Sequence, residues 1–366
     1  MTGIKRVPWS AILLLILGCT TWAQKPNVAN AKLQELPAGP NLKSSIDAIV
    51  AKEPGPVWIG YRIPAQAKER TMCCWDSGEK QSGNGCCLGC RMDSQNTGTF
   101  SGTASNCAPP EPVPYAFLFL KYEGRQVSKV RVFSKDCPLD FAGLPLYWLD
   151  DVKPEQSVEL LLPLAQSAGS DDGDRDGKRA GKQAVMAIAF HDVAAADQAL
   201  RTLIQPNQPL RLREDVAFWL GVERGKPGLD LLRETVKADP DERFREKATF
   251  AISQSKQPEA VKDLIAMAHN DPSSRVRGQA IFWLAQIGGR KEAGEITDAI
   301  ENDPDTQVKK KAVFALSQIH NGEGVPLLIN VARTNKNPAV RKQAIFWLGQ
   351  SQDPRALSFL EEIITK

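Results

Sequence analysis

Residues 271–284 read Asp-Pro-Ser-Ser-Arg-Val-Arg-Gly-Gln-Ala-Ile-Phe-Trp-Leu, and the phrase returns in altered form every 32 residues through the C-terminal half. Its alanine, Ala280, has counterparts at Ala184, Val216, Ala248, Ala312 and Ala344. Two positions on stand Met186, Phe218, Phe250, Phe282, Phe314 and Phe346. Four positions on stand Ile188, Leu220, Ile252, Leu284, Leu316 and Leu348. Such a period marks stacked units, because one unit cannot bury its apolar face alone. The expected class is mostly α: an α-solenoid, or α-α superhelix, of about six 32-residue units over residues 182–366. A small disulfide-containing α+β domain is expected to precede it.

Each unit resolves into two helices. Asp239-Pro240, Asp271-Pro272 and Asp303-Pro304 put an aspartate where it can cap a helix and a proline where its missing N–H costs nothing. The last full unit uses Asn337-Pro338. The first helix then runs over 274–287, for example, and Gly288-Gly289 stops it. The second covers roughly 292–301, with counterparts at 194–203, 259–269, 325–333 and 355–364.

Two further rows accompany the alanines. Three positions after each alanine the chain alternates Ala187, Trp219, Ala251, Trp283, Ala315, Trp347. A bulky indole facing alanine in the next unit fills space between units, and the phenylalanines beside it strengthen a core reading. The competing reading is an aromatic ladder open to a peptide or glycan. Three positions before the alanine stand Arg213, Arg245, Arg277, Lys309 and Arg341. With the turn aspartates these can tie adjacent units together, or serve a bound protein directly.

The repeat resembles the short HEAT repeats of the phycobilisome lyase-like type, on Asp271, Pro272, Val276, Arg277, Ala280, Trp283 and Leu284, and again from Asp303 to Leu316. The whole chain resembles exported bacterial HEAT-repeat proteins. That resemblance implies a HEAT-like solenoid used for protein–protein contacts. It brings no catalytic residues with it.

Upstream, residues 1–23 read as a signal peptide: Lys5 and Arg6, an apolar stretch over 11–17, and Thr21-Trp22-Ala23 before Gln24. Ile16-Leu17-Gly18-Cys19 also resembles a lipobox, which would make Cys19 a lipidated first residue. Both readings imply export, to the periplasm or the exterior, with membrane attachment only through such a lipid. The net charge of +3 leaves no electrostatic footprint for nucleic acid. The expected partner is a protein or peptide of unknown identity.

Residues 24–166 read as a cysteine-rich α+β domain. Strands are expected at 57–63, 115–122 and 127–133, the last two joined by a hairpin at 123–126, and a helix at 154–165. Cys73, Cys74, Cys86, Cys87, Cys90, Cys107 and Cys137 all lie here. On so loop-rich a segment they are candidates for disulfides that staple a weak core. Structural zinc on Cys73, Cys74, Cys87 and Cys90 is disfavoured by the adjacent first pair. A linker is expected over 167–181. Asp172, Asp174, Asp176 and Gly177 open like a calcium loop, but Gln183 stands where the bidentate glutamate belongs.

Enzymatic signatures are sparse. His191, His269 and His320 have no metal-binding spacing and read as surface or capping residues. No nucleophile elbow or phosphate-cradling loop occurs, so neither cofactor nor metal is expected. A noncatalytic interaction module or scaffold is the principal reading. The alternative is an envelope thiol–disulfide enzyme or redox sensor using Cys87 and Cys90.

Overall fold

The computed structural model describes residues 25–68, 71–76, 90–92, 97–102, 111–135, 137–169 and 175–365. The N-terminal part is built on strands, of which those at Val57–Pro64, Tyr115–Glu123 and Pro145–Asp150 are buried on both sides. The strands are β1 (Val28–Ala29), β2 (Lys32–Pro37), β3 (Val57–Pro64), β4 (Thr71–Asp76), β5 (Cys90–Arg91), β6 (Thr97–Gly102), β7 (Tyr115–Glu123), β8 (Gln126–Phe133), β9 (Leu139–Asp140) and β10 (Pro145–Asp150). Five form one mixed sheet in the order β2-β10-β3-β7-β8, parallel across β2-β10-β3 and antiparallel thereafter. The expected hairpin is β7–β8, with Gly124 at φ +61 in its turn.

Alternation along these strands sends two sets of side chains to two cores. Val57, Ile59, Tyr61, Leu118, Leu120, Val130 and Val132 face one way, against helices α1 (Leu42–Val50) and α2 (Pro154–Ser167). Trp58, Phe117, Phe119, Phe133 and Trp148 face the other, where Phe141 meets Trp58 edge-on at 5.7 Å. A sheet buried on both faces explains the near-continuous apolar runs.

The expectation of a weak core stapled by disulfides is therefore corrected. No disulfide bond joins any two of the described residues, whose aromatic layer and helices pack the sheet extensively. Cys90 and Cys137 lie buried in the aromatic core and are disulfide-bonded. Side chains at Cys73 and Cys74 in β4, and Cys86, Cys87 and Cys107 entirely, lie outside the described residues, as does Cys19 with the signal segment.

Six helix pairs follow: α3 (Arg175–Phe190) with α4 (Ala194–Leu203), α5 (Leu210–Glu223) with α6 (Gly225–Ala238), and α7 (Glu242–Ser253) with α8 (Glu259–Asn270). Then come α9 (Ser274–Gly288) with α10 (Ala293–Asn302), α11 (Thr306–Ser317) with α12 (Val325–Thr334), and α13 (Pro338–Gly349) with α14 (Pro354–Thr365). Gly289, at φ +53, ends α9 where a stop is expected. In the stretch read as a linker, 167–169 close α2 and 175–181 already belong to α3; 170–174 lie outside the described residues.

Helix α3 packs on α2, on β8 and on α5. Its Gln183 side chain accepts a hydrogen bond from Val130 N at 2.8 Å, satisfying a donor of β8, the last strand of the sheet's order. A second bridge is fully buried. Tyr61 Oη lies 2.9 Å from Ser157 Oγ, which lies 2.8 Å from His191 Nε2; His191 Nδ1 meets Ala187 O at 2.7 Å. His191, read as a surface or capping residue, does cap the end of α3, but from the interior. One continuous apolar core runs from the sheet through all six pairs.

Candidate functional site

The turn aspartates and the arginine row decide how the pairs stack. Asp239, Asp271 and Asp303 were expected to cap the helices that follow. Instead each Oδ1 accepts the backbone N–H two residues on, from Asp241, Ser273 and Asp305. Asp241, Asp305 and Asn337 are the residues that cap, accepting from Arg243 N, Gln307 N and Ala339 N. Held in this Asx turn, each aspartate is free to take an arginine from the preceding unit.

Arg245 Nε and Nη2 donate to the two oxygens of Asp271 at 2.8 and 3.0 Å, and its Nη1 donates to Asp239 O at 2.9 Å. Arg277 treats Asp303 and Asp271 O in the same way. Arg213 pairs with Asp239. The hydrogen bonds to Asp271 and Asp303 raise the pKa of both Arg245 and Arg277. The row changes at the fifth unit. Lys309 stands for arginine and Asn335 for aspartate, and Lys309 Nζ donates to Glu301 O instead. Arg341 donates to Asn335 O and Lys336 O. These residues join unit to unit, and the paired members are largely buried.

A different surface is open. Helices α3, α5, α7, α9, α11 and α13 pack against one another along the array far more extensively than do the intervening helices. The closer row lies inside the curve of a stack, so these six helices line its inner face. Val276, Ala280, Ile281 and Leu284 of α9 are buried, as are their counterparts. Phe282 lies on the far side of the helix from Ala280, since two residues turn about 200°.

The result is a row of rings. Phe218, Phe250, Phe282, Phe314 and Phe346 reach solvent along the inner face, Phe346 being 53% exposed and Phe250 36%. Trp219, Trp283 and Trp347 sit half-buried beside them, packed on the core. Phe218 stacks on Phe250 at 6.0 Å and Phe282 on Phe314 at 5.9 Å. Trp283 contacts Phe250, and Trp347 contacts Phe314, each at 4.8 Å. Phe190, Trp219, Phe218, Phe250, Trp283, Phe282, Phe314, Trp347 and Phe346 thus form one unbroken chain of contacts. Stacked and tilted junctions alternate because tryptophan occurs in every second unit. Among the described residues the buried indole Nε1 of Trp283 and of Trp347 has no hydrogen-bond partner.

The sequence reading singled out the tryptophans and took the phenylalanines as core. The structure brings the three tryptophans into the row, makes Phe250 and Phe346 its exposed rings and leaves Phe218, Phe282 and Phe314 half-buried. Of the redox pair, Cys87 lies outside the described residues, and Cys90 is 2% exposed. No cluster of three or more metal-ligating side chains occurs among the described residues, and none of their helices is long and apolar enough to cross a membrane.

Residues 198–285 and 295–366 match the family described as HEAT repeats. Over these residues the fold is an α-solenoid of the HEAT-repeat kind. No curated protein matches the chain. Among solved structures, it is similar to human deoxyhypusine hydroxylase at 16% identity, over 56% of this chain and 90% of that one, with a TM-score of 0.29. It is similar to the CpcE–CpcF complex of phycocyanin lyase from Nostoc sp. PCC7120 at 20% identity, over 54% and 77%, with a TM-score of 0.30. It is also similar to Kap121p at 14% identity, over 58% of this chain and 26% of that one, with a TM-score of 0.34. These are likenesses of stacked helix pairs and nothing more.

Proposed function

We propose that this protein is a noncatalytic binding module that takes an extended segment of a partner protein along the inner face of its HEAT array. The observation that carries this reading is the ring row: five phenylalanines, one per unit, in contact end to end through three tryptophans, and reaching solvent. An exposed apolar stripe of that length is unusual on a surface with no partner. With helices about 8–10 Å apart, four steps span about 32–40 Å, which matches about ten to twelve extended residues. Aromatic anchors of this kind supply most of the affinity in peptide recognition.

We assign the module to the cell envelope or exterior, on the strength of the signal-like residues 1–23; attachment through Cys19 is the lipobox form of that assignment. Intact mass of the exported protein tests it, since cleavage and lipid each change the mass.

The binding reading is tested by panning a random peptide library on the immobilised protein and repeating it with a Phe250→Ser, Phe314→Ser double variant. Enrichment of apolar-containing peptides by the parent and not by the folded variant supports the inner face. Equal enrichment by both removes it.

A further inference from the structure

The ring row is not flanked evenly. Four residues before each ring, one turn earlier on the same face, stand Glu214, Glu246, Gly278, Lys310 and Lys342. The neighbouring position carries Asp215, Lys247, Gln279, Lys311 and Gln343. In the earlier units the charges answer one another: Arg275 pairs with Glu246 at 2.7 Å, and Lys182 with Asp215 at 3.4 Å. In the fifth and sixth units neither position holds an acid. Among the described residues Lys310, Lys311 and Lys342 form no ion pair with a carboxylate, and Lys311 and Lys342 are exposed.

Gly278 completes the asymmetry. A Cβ there would lie 2.5 Å from Lys311 Cδ, so the lysine stem crosses the bare backbone of α9. That places its ammonium on the same face as Phe282 and Phe314. The most exposed ring, Phe346, stands one turn from Lys342.

We infer that the inner face of units four to six binds an acidic polypeptide segment, whose apolar side chains meet Phe282, Phe314 and Phe346 while its carboxylates meet Lys310, Lys311 and Lys342. The inference rests on the peptide-binding reading above and specifies its partner. Charge complementarity also gives the bound segment a direction, with its acidic end over the last two units.

Fluorescence anisotropy with three labelled peptides of about twelve residues tests this. Leucine recurs at every third position, and the remaining positions alternate glycine with glutamate, serine or lysine. The glutamate peptide is expected to bind at least about tenfold tighter than the serine peptide at low salt, losing that advantage as salt rises. In a Lys310→Glu, Lys311→Glu, Lys342→Glu variant with unchanged melting temperature, the lysine peptide is expected to become the tightest. Equal binding of glutamate and serine peptides, or a preference that survives the charge reversal, overturns the inference and leaves the peptide-binding reading standing. Failure of all three peptides to bind overturns both. A single-stranded oligonucleotide of equal charge binding as tightly as the glutamate peptide overturns the choice of a polypeptide partner.

Discussion

Arg245 grips Asp271 at two points across a separation of 26 residues, while its remaining amine holds the carbonyl of Asp239. One side chain thus joins its own turn to the next. Removing one member leaves the other nearly buried charge without a partner, which typically costs about 3 kcal/mol. Asp271→Ala is expected to lower the free energy of unfolding by that much, read from the shift of the denaturant midpoint. Lys309→Met, at a rung with no carboxylate to strand, is expected to change stability by less than about 1 kcal/mol. Similar losses at the two positions would show that the two-point grip contributes nothing special.

His191 makes folding sensitive to mild acid. Its pKa is depressed to about 4, chiefly by burial and in part by the charge of Arg224, against the opposing hydrogen bond to Ala187 O. In the unfolded chain the imidazole regains a pKa of about 6.5, so below that pH the unfolded state binds the extra proton. Stability from this group is complete above pH of about 6.5 and is lost as pH falls toward 4. Between pH 7 and 5 the loss is about 2 kcal/mol. Urea titrations across that window check it, with His191→Asn expected to lose most of the slope.

Gly221 admits no side chain. A Cβ there would sit 2.0 Å from Ala251 O, so α5 and α7 touch backbone to backbone. Gly221→Ala must wedge two units apart and is expected to cost about 2 kcal/mol or more. A thermal shift within error of the parent would contradict so close an approach.

Phe244 and Phe250 lie on one helix and separate stability from binding. Phe244 is fully buried, with the Arg213 guanidinium 4.0 Å above its ring. Phe244→Ala is expected to cost about 3–5 kcal/mol. Phe250→Ser removes a ring that solvent already reaches, so its cost should stay near 1 kcal/mol while affinity for apolar peptides falls. Calorimetry and anisotropy on the same two proteins decide between core and working surface.

The period, the helix pairs, their approximate ends and the β7–β8 hairpin were all legible, because each depends on local pattern. The phenylalanine row was legible too, by helix geometry: its position lies about 200° around the helix from the buried alanine. Reading every apolar residue near that alanine as core hid it. The Asp-Pro pairs misled differently. Aspartate two residues ahead of the true cap satisfies the same turn chemistry, and only the arginine from the preceding unit explains why it recurs. His191 and Ser157 are far apart in sequence, so nothing local announces their contact. The cysteines drew attention from a sheet whose strands β3 and β7, apolar at odd and even positions alike, already implied two buried faces.

The placement of α3 between β8 and α5 also decides where the molecule opens. A unit in a stack takes part of its stability from each neighbour, and a unit with one neighbour has less of it. The first pair is flanked on both sides, by sheet and by second pair, whereas α13–α14 has a single described neighbour and leaves Leu357 and Ile364 in solvent. In a polypeptide of these 366 residues, amide exchange should therefore slow from α14 back toward α3. The segment proposed to bind acidic peptides is then the least protected part of the array, and a bound partner would show itself first as added protection there.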